Sequence, residues 1–155
     1  MRRIHGVLGA ALALTMALPA LAEEFSGIPV YPGARRDAVA DAYCKAYDAT
    51  GSSSRCFRTS DPFDKVLQFY ATQPGLKQPR FGAMKTPGSS VGLFCPKAQE
   101  ECTLTTMKGM QVVLQNPWTG EVNKPVPVEK YENKDVLVRI VNKDKLYEAL
   151  NKQMK

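Results

Sequence analysis

Four cysteines limit how this chain can fold. An even number of cysteines in an exported protein is usually oxidised to structural disulfides. Three pairings are possible, and we expect Cys44 with Cys56 and Cys95 with Cys102, because each pair lies in its own half of the chain and closes a short loop. Metal coordination by the same thiols is the alternative, but the cysteines lack the Cys-x-x-Cys spacing of zinc knuckles and thioredoxin-like motifs. The pattern therefore predicts a domain with two disulfide bonds.

The N-terminal residues predict export to an oxidising compartment. Two arginines precede an apolar run over residues 6–18, which is shorter than a typical membrane-spanning helix. Ala20 and Ala22 then provide the small residues of a cleavage site, and the next residue is not a cysteine that could carry a lipid. We expect residues 1–22 to be a cleavable secretory signal peptide, with an uncleaved anchor as the alternative. The mature protein is expected to be periplasmic or secreted.

The length and charge of the mature chain indicate one domain with a modest positive excess. Removing 22 of the 155 residues leaves 133, which suits a single core. The formal net charge falls from +6 to +4, because Arg2 and Arg3 leave with the signal. This excess favours an anionic envelope component or an envelope protein as partner only weakly, and nucleic acid is not expected in that compartment. No stretch within residues 23–155 is apolar and long enough to span a membrane.

The single histidine of the sequence, His5, lies within the expected signal peptide. A mature chain without imidazole excludes Ser-His-Asp and Cys-His nucleophilic machinery and histidine-ligated zinc. Gly-x-Ser-x-Gly and glycine-rich phosphate loops are also absent from the sequence. No metal or cofactor is expected.

The first half of the mature chain predicts two helices and a strand. Residues 37–48 have apolar residues at helical spacing, although the alternation of small residues leaves a strand open there. Residues 55–59 alternate as a half-buried strand does. A second helix begins with Asp61 as N-cap and Pro62 in its first position, and ends near residue 73. Its apolar face consists of Phe63, Val66, Leu67 and Tyr70.

The second half predicts mainly strands. A long basic loop over residues 74–90 leads to strands at 91–95, 102–107, 110–115 and 135–141, with a proline-rich crossing before the last. Asn142 then caps a final helix, whose apolar stripe is Leu146, Tyr147, Leu150 and Met154. These elements predict an α+β domain, in which an antiparallel meander sheet has two or three helices packed on one face and is stapled by disulfides.

The segments around Tyr31 and Asp61 resemble a known group of exported proteins. Val30-Tyr31-Pro32-Gly33-Ala34, followed by Thr59-Ser60-Asp61, Lys65-Val66 and Phe69-Tyr70, is similar to small bacterial envelope proteins with a YPGA segment and a later S-D…V…FY helix. This resemblance implies a bacterial exported α+β domain without an assigned reaction, so no catalytic residue is carried over. The cysteine-bearing stretch from Asp37 to Cys56 departs from the shorter link of that family.

A cationic loop is the best candidate for contact with a partner. Lys77, Arg80, Phe81 and Lys85 combine positive charge with an aromatic ring, which suits an anionic partner. Trp118 is a second candidate anchor, because indole is often found at interfaces. The alternative is a solvated loop with Phe81 folded into the core.

Acidic pairs offer only a weak case for catalysis. The pairs are Asp61 with Asp64, Glu100 with Glu101, and Glu129 with Glu132. Each pair has a simpler structural explanation, since the three pairs are expected at a helix start, at a loop tip and in a polar crossing. No catalytic residue is therefore assigned. The expected function is a non-enzymatic periplasmic binding or accessory protein. A carboxylate-dependent hydrolase, or a proteinaceous inhibitor of a secreted enzyme that inserts the Cys95–Cys102 loop, is the alternative.

Overall fold

The computed structural model describes residues 23–36, 38–48, 52–106, 108–118 and 135–154. The expected signal peptide lies outside these residues, as does the part of the proline-rich crossing that carries Glu129 and Glu132. None of the described helices is long and apolar enough to cross a membrane.

The described residues form three helices and eight strands. In chain order these are β1 (Glu24–Phe25), β2 (Ile28–Pro29), α1 (Ala38–Asp48), β3 (Ser53–Thr59), α2 (Phe63–Ala71), β4 (Leu76–Lys77), β5 (Met84–Thr86), β6 (Ser89–Pro96), β7 (Met110–Asn116), β8 (Val136–Asn142) and α3 (Asp144–Gln153). The helix reading of residues 37–48 is therefore the one that the structure supports over the strand reading.

The strands build one main antiparallel sheet. Its order is β3-β8-β7-β6-β4, and β5 pairs with the other end of β6, while β1 and β2 form a separate hairpin. Phe57, Val138, Leu114 and Gly92 lie opposite one another on successive strands. Since directly paired residues point to the same side, this row belongs to one face. The expected α+β class, with an antiparallel sheet, packed helices and two disulfides, is confirmed.

The face that contains this row is covered by α2 and holds the main core. Phe63, Val66 and Tyr70 of α2 are buried there, as the apolar spacing predicts. Gly92 lets the helix approach closely, because a Cβ at this position would lie 2.9 Å from Leu67 Cδ1. A larger residue at this position would require the Leu67 side chain to move.

The opposite face carries α1 and both disulfides. Cys56 of β3 is buried with Leu137 and with Tyr43 of α1, and it bonds to Cys44. Cys95 of β6 points to the same side and bonds to Cys102. Both predicted pairings are confirmed. The helices are thus shared between two faces, and not gathered on the single face that was expected.

The start of α2 differs from the predicted one. Pro62 occupies the N-cap position, and no side chain caps the helix. The Asp61 carboxylate instead accepts hydrogen bonds from Tyr31 Oη and Lys65 Nζ. The predicted Asp61 cap is therefore wrong, and this carboxylate serves Tyr31 and Lys65 instead.

The segments flanking β6 also differ from prediction. The predicted loop over residues 74–90 contains β4 and β5, which pair with the two ends of the longer strand β6. The predicted strand at 102–107 is wrong for its described residues, 102–106, which form turns. Thr106 Oγ1 accepts a hydrogen bond from Thr103 N, and Thr103 O accepts one from Thr106 N. Such local bonds compete with pairing in a sheet.

The last helix, α3, begins where it was predicted but buries none of its residues. Asn142 Oδ1 accepts a hydrogen bond from Asp144 N, although Lys143 occupies the N-cap position. The apolar stripe of α3 is largely exposed, with Met154 77 % accessible. Its helical spacing was correctly interpreted, but burial depends on a partner surface.

The packing of the main core makes a first prediction. Phe57→Ala should lower the free energy of unfolding by about 3–5 kcal/mol, because it leaves a cavity at a fully buried site. The measurement is urea denaturation followed by circular dichroism. Met154→Ala is the control, since the exposed side chain should change stability by less than about 0.5 kcal/mol. Equal effects of both substitutions would contradict this assignment of the core.

Candidate functional site

The turn after β4 presents two of the predicted contact residues. Pro79 O accepts a hydrogen bond from Gly82 N at 2.9 Å, and Gly82 has a φ of +65°, which glycine adopts without strain. Arg80 and Phe81 are the central residues of this turn. Both are exposed, Phe81 to 49 %. The alternative in which Phe81 folds into the core is therefore wrong.

Arg80 and Phe81 lie along a cleft of about 500 Å³, which we call the cationic cleft. One wall comes from residues 77–81, and the other comes from Glu100, Cys102 and Thr103. Lys77 also lines the cleft, but its Nζ donates to Gln99 O and so ties β4 to the opposite wall. Among the described residues that line the cleft, Arg80 is the cation whose guanidinium is available to a ligand.

The opposite wall belongs to residues 97–106, which we call the disulfide loop. The Cys95–Cys102 bond, with a sequence separation of 7, closes its first part, and residues 103–106 follow the closed part. Gln111 Nε2 donates to Thr103 O at 2.7 Å, and Lys143 Nζ donates to Thr106 O at 2.8 Å. These donors belong to the sheet strand β7 and to the residue before α3, so the loop is anchored to the framework. A wall held in this way loses little conformational freedom when a ligand binds.

Lys143 is a half-buried structural cation of this anchor. Burial lowers the pKa of its amine, and the nearby positive charge of Arg139 lowers it further. Its ammonium bonds to the carbonyl oxygens of Leu104 and Thr106 favour the charged form within the loop. The Lys143 side chain anchors the disulfide loop and does not line the cationic cleft.

Two predicted contact residues lie elsewhere. Lys85 Nζ pairs with Asp64 Oδ1 at 2.5 Å and lies 5.9 Å from the centre of the Phe63 ring. Both contacts are with α2 and not with the cationic cleft. Trp118 is 1 % exposed and packs edge-to-face on Tyr43, with 5.6 Å between ring centres. The prediction of Trp118 as a surface anchor is wrong, because α1 covers it. The structure brings together Lys77, Arg80 and Phe81 only.

Sequence reasoning missed the residues that build the second wall. Glu100 appeared only as half of an acidic pair, and Gln111 and Lys143 did not stand out at all. One signal was present, since Gln111 is a polar residue in a strand with apolar neighbours and is 1 % exposed. A buried amide needs a hydrogen-bond partner, and here the partner is the disulfide loop.

A second cluster of titratable groups lies at the start of α2, and we call it the Tyr31 clasp. Tyr31 Oη donates to Asp61 Oδ2 at 2.5 Å, and Lys65 Nζ lies 3.1 Å from the same oxygen. Tyr31 N donates to Tyr70 Oη at 3.1 Å. Gly33 is required beside them, because a Cβ there would lie 2.8 Å from both Asp61 Oδ2 and Tyr31 Cε1. The clasp fastens the N-terminal segment to α2.

The pKa shifts in the clasp indicate a structural role. The hydrogen bond from Tyr31, followed by that from Lys65, lowers the pKa of Asp61. Burial, followed by the bond to Asp61, raises the pKa of Tyr31, and Asp61 raises the pKa of Lys65. The carboxylate is held ionised and its neighbours hold their protons, which opposes proton transfer near neutral pH. Asp64, the other half of this acidic pair, is bound by Lys85.

The clasp also accounts for the residues that carry the sequence resemblance. Tyr31, Gly33, Asp61, Lys65 and Tyr70 all belong to it or contact it. Comparison with protein-family models, with curated proteins and with solved structures found no match. The likeness to small bacterial envelope proteins therefore stays a prediction, whereas the contacts among these residues explain why they would occur together.

The shift at Asp61 predicts how stability depends on pH. Its folded pKa lies below the ordinary value of 3.8, so its contribution is present above about pH 4 and is lost as pH falls through the folded pKa. Asp61→Asn should be less stable than the native chain at pH 7, and the difference should shrink towards pH 2. Urea denaturation at a series of pH values measures it, with Glu148→Gln on the exposed surface of α3 as control. A difference that stays constant over this range would contradict the role given to the ionised carboxylate.

Proposed function

We propose that this chain is a non-enzymatic binding or accessory protein of the bacterial periplasm, or a secreted one, which holds its partner in the cationic cleft. The observation that carries this proposal is the pairing of Arg80 and Phe81 on one exposed turn, directly along a cleft with an anchored opposite wall. A guanidinium and an aromatic ring together offer charge and contact area to an anionic partner.

The chemistry of Arg80 favours a carboxylate or phosphate group on that partner. Guanidinium groups bind such anions through two parallel hydrogen bonds, which adds geometric selection to the attraction of charge. The exposed face of Phe81 can pack against an apolar part of the same molecule. An anionic envelope component or an acidic surface of an envelope protein meets both requirements.

The two disulfides support a place outside the cytoplasm. Both pairs close within the described domain, and disulfides persist in oxidising compartments. They agree with the signal peptide predicted at residues 1–22. Export, cleavage and the periplasmic location are parts of the proposal that N-terminal sequencing of the mature protein can test directly.

Reversal of the Arg80 charge tests the binding role. Immobilised mature protein should retain a component of a bacterial envelope extract, and Arg80→Glu should reduce the retained amount by about tenfold or more. Lys45→Glu is the matched control, because Lys45 is an exposed cation on α1, which packs by β3 at the other edge of the sheet. If Arg80→Glu and Lys45→Glu retain the component equally, the cationic cleft is not the binding site.

A second candidate function is inhibition of a secreted enzyme by the disulfide loop. The Cys95–Cys102 bond closes the first part of the loop, and Gln111 and Lys143 anchor the residues that follow it. Leu104, two residues after Cys102, is 42 % exposed. Rigid exposed loops of this kind can enter an enzyme cleft at low entropic cost. Micromolar mature protein should then inhibit at least one member of a panel of lysozymes and proteases, and Leu104→Asp should abolish the effect. Lack of inhibition across the panel would dismiss this function.

A further inference from the structure

A second cleft lies on the other side of the disulfide loop. It has a volume of about 640 Å³ and is lined by Gln99, Glu100, Thr106, Lys108 and Tyr147, among others. Tyr147 of α3 is 38 % exposed, and the Lys108 ammonium lies 5.2 Å from the centre of its ring. Glu100 lines this cleft and the cationic cleft alike. The disulfide loop is therefore a ridge with a cleft and an exposed aromatic ring on each side.

Besides the Lys77 ammonium, which bonds to Gln99 O, the cationic cleft contains two opposite charges that do not neutralise each other. Arg80 and Glu100 line the same cleft and are both exposed. Within the described part of the chain, neither side chain has an ion-pair partner, and they do not pair together. A ligand that carries both signs would find a counter-charge for each of its groups.

Two glutamates of the disulfide loop, Glu100 and Glu101, argue against a ligand that is purely anionic. A polyanion bound at Arg80 would bring negative charge towards Glu100, and towards Glu101 beside it. Like charges brought together at an interface select against such a partner. Peptides offer acidic, basic and apolar groups within a few residues. These groups complement the charges of Arg80 and Glu100 and the rings of Phe81 and Tyr147, which line the two clefts.

We propose that the ligand is an extended peptide segment of mixed charge that lies across the disulfide loop. An acidic side chain contacts Arg80, a basic side chain contacts Glu100, and apolar side chains pack on Phe81 and Tyr147. This inference rests on the binding role of the cationic cleft and names the partner chemistry of that site. The anchoring of the loop by Gln111 and Lys143 keeps the two clefts in a fixed relation.

Synthetic peptides of equal length test the proposal on the mature protein. One probe carries an acidic, an apolar and a basic residue, made in both orders, and two others replace the basic or the acidic residue by glutamine. Calorimetry should show the mixed peptide binding about fivefold more tightly than the acidic one, which is the effect of one good exposed ion pair. Glu100→Gln should remove this advantage without weakening the acidic peptide, whereas Glu24→Gln, an exposed control on β1, should keep it.

Tyr147 provides a second readout that is independent of Glu100. Tyr147→Ala should weaken a long mixed peptide but leave unchanged a peptide truncated to the acidic and basic residues, because only the long peptide reaches the second cleft. If the acidic peptide binds as tightly as the mixed one and Arg80→Glu abolishes both, the mixed-charge inference is wrong and the cationic cleft stands. If no peptide binds while a sulfated polysaccharide does, a peptide ligand is excluded.

Discussion

Burial of one apolar sheet face beneath α2 is the interaction on which the rest of this structure depends. Phe57, Val138 and Leu114 lie in a row across three strands, and Gly92 ends the row where the helix needs room. Removal of this area from water is the dominant favourable contribution to folding a domain of this size. The Tyr31 clasp adds polar bonds at the rim of the same face, so that the N-terminal segment closes over the core.

The other face of the sheet follows a different rule. It carries both disulfides. A covalent cross-link restricts the conformations of an irregular segment that apolar packing alone would not hold in place. On this side the described residues 97–106 form turns and irregular chain, and they are held by Gln111 and Lys143. The candidate site includes this irregular segment, because side chains on a surface turn are accessible to a ligand.

Much of the framework could be predicted from the sequence, because its signals are local. The alternation in β3, β7 and β8, the apolar spacing of α2 and the short loops between cysteines are readable within a few residues. Three features could not be read in this way. Trp118 is covered by a helix some 70 residues earlier in the chain, α3 leaves its stripe exposed, and Thr103 and Thr106 satisfy each other instead of a neighbouring strand. The candidate site is predictable in part. The sequence predicts Arg80 and Phe81 as contact residues, but it does not predict that Glu100 forms the opposite wall of the cleft.

The residues that face the two clefts and the residues that hold the fold are separate sets. Arg80, Phe81 and Glu100 are exposed, while Gln111, Lys143 and the Cys95–Cys102 bond hold the disulfide loop in place. Substitutions at the surface set can therefore accumulate with little loss of stability. The turn that carries Arg80 and Phe81, and the position of Glu100 on the disulfide loop, are therefore places where the sequence can diverge while the scaffold is kept.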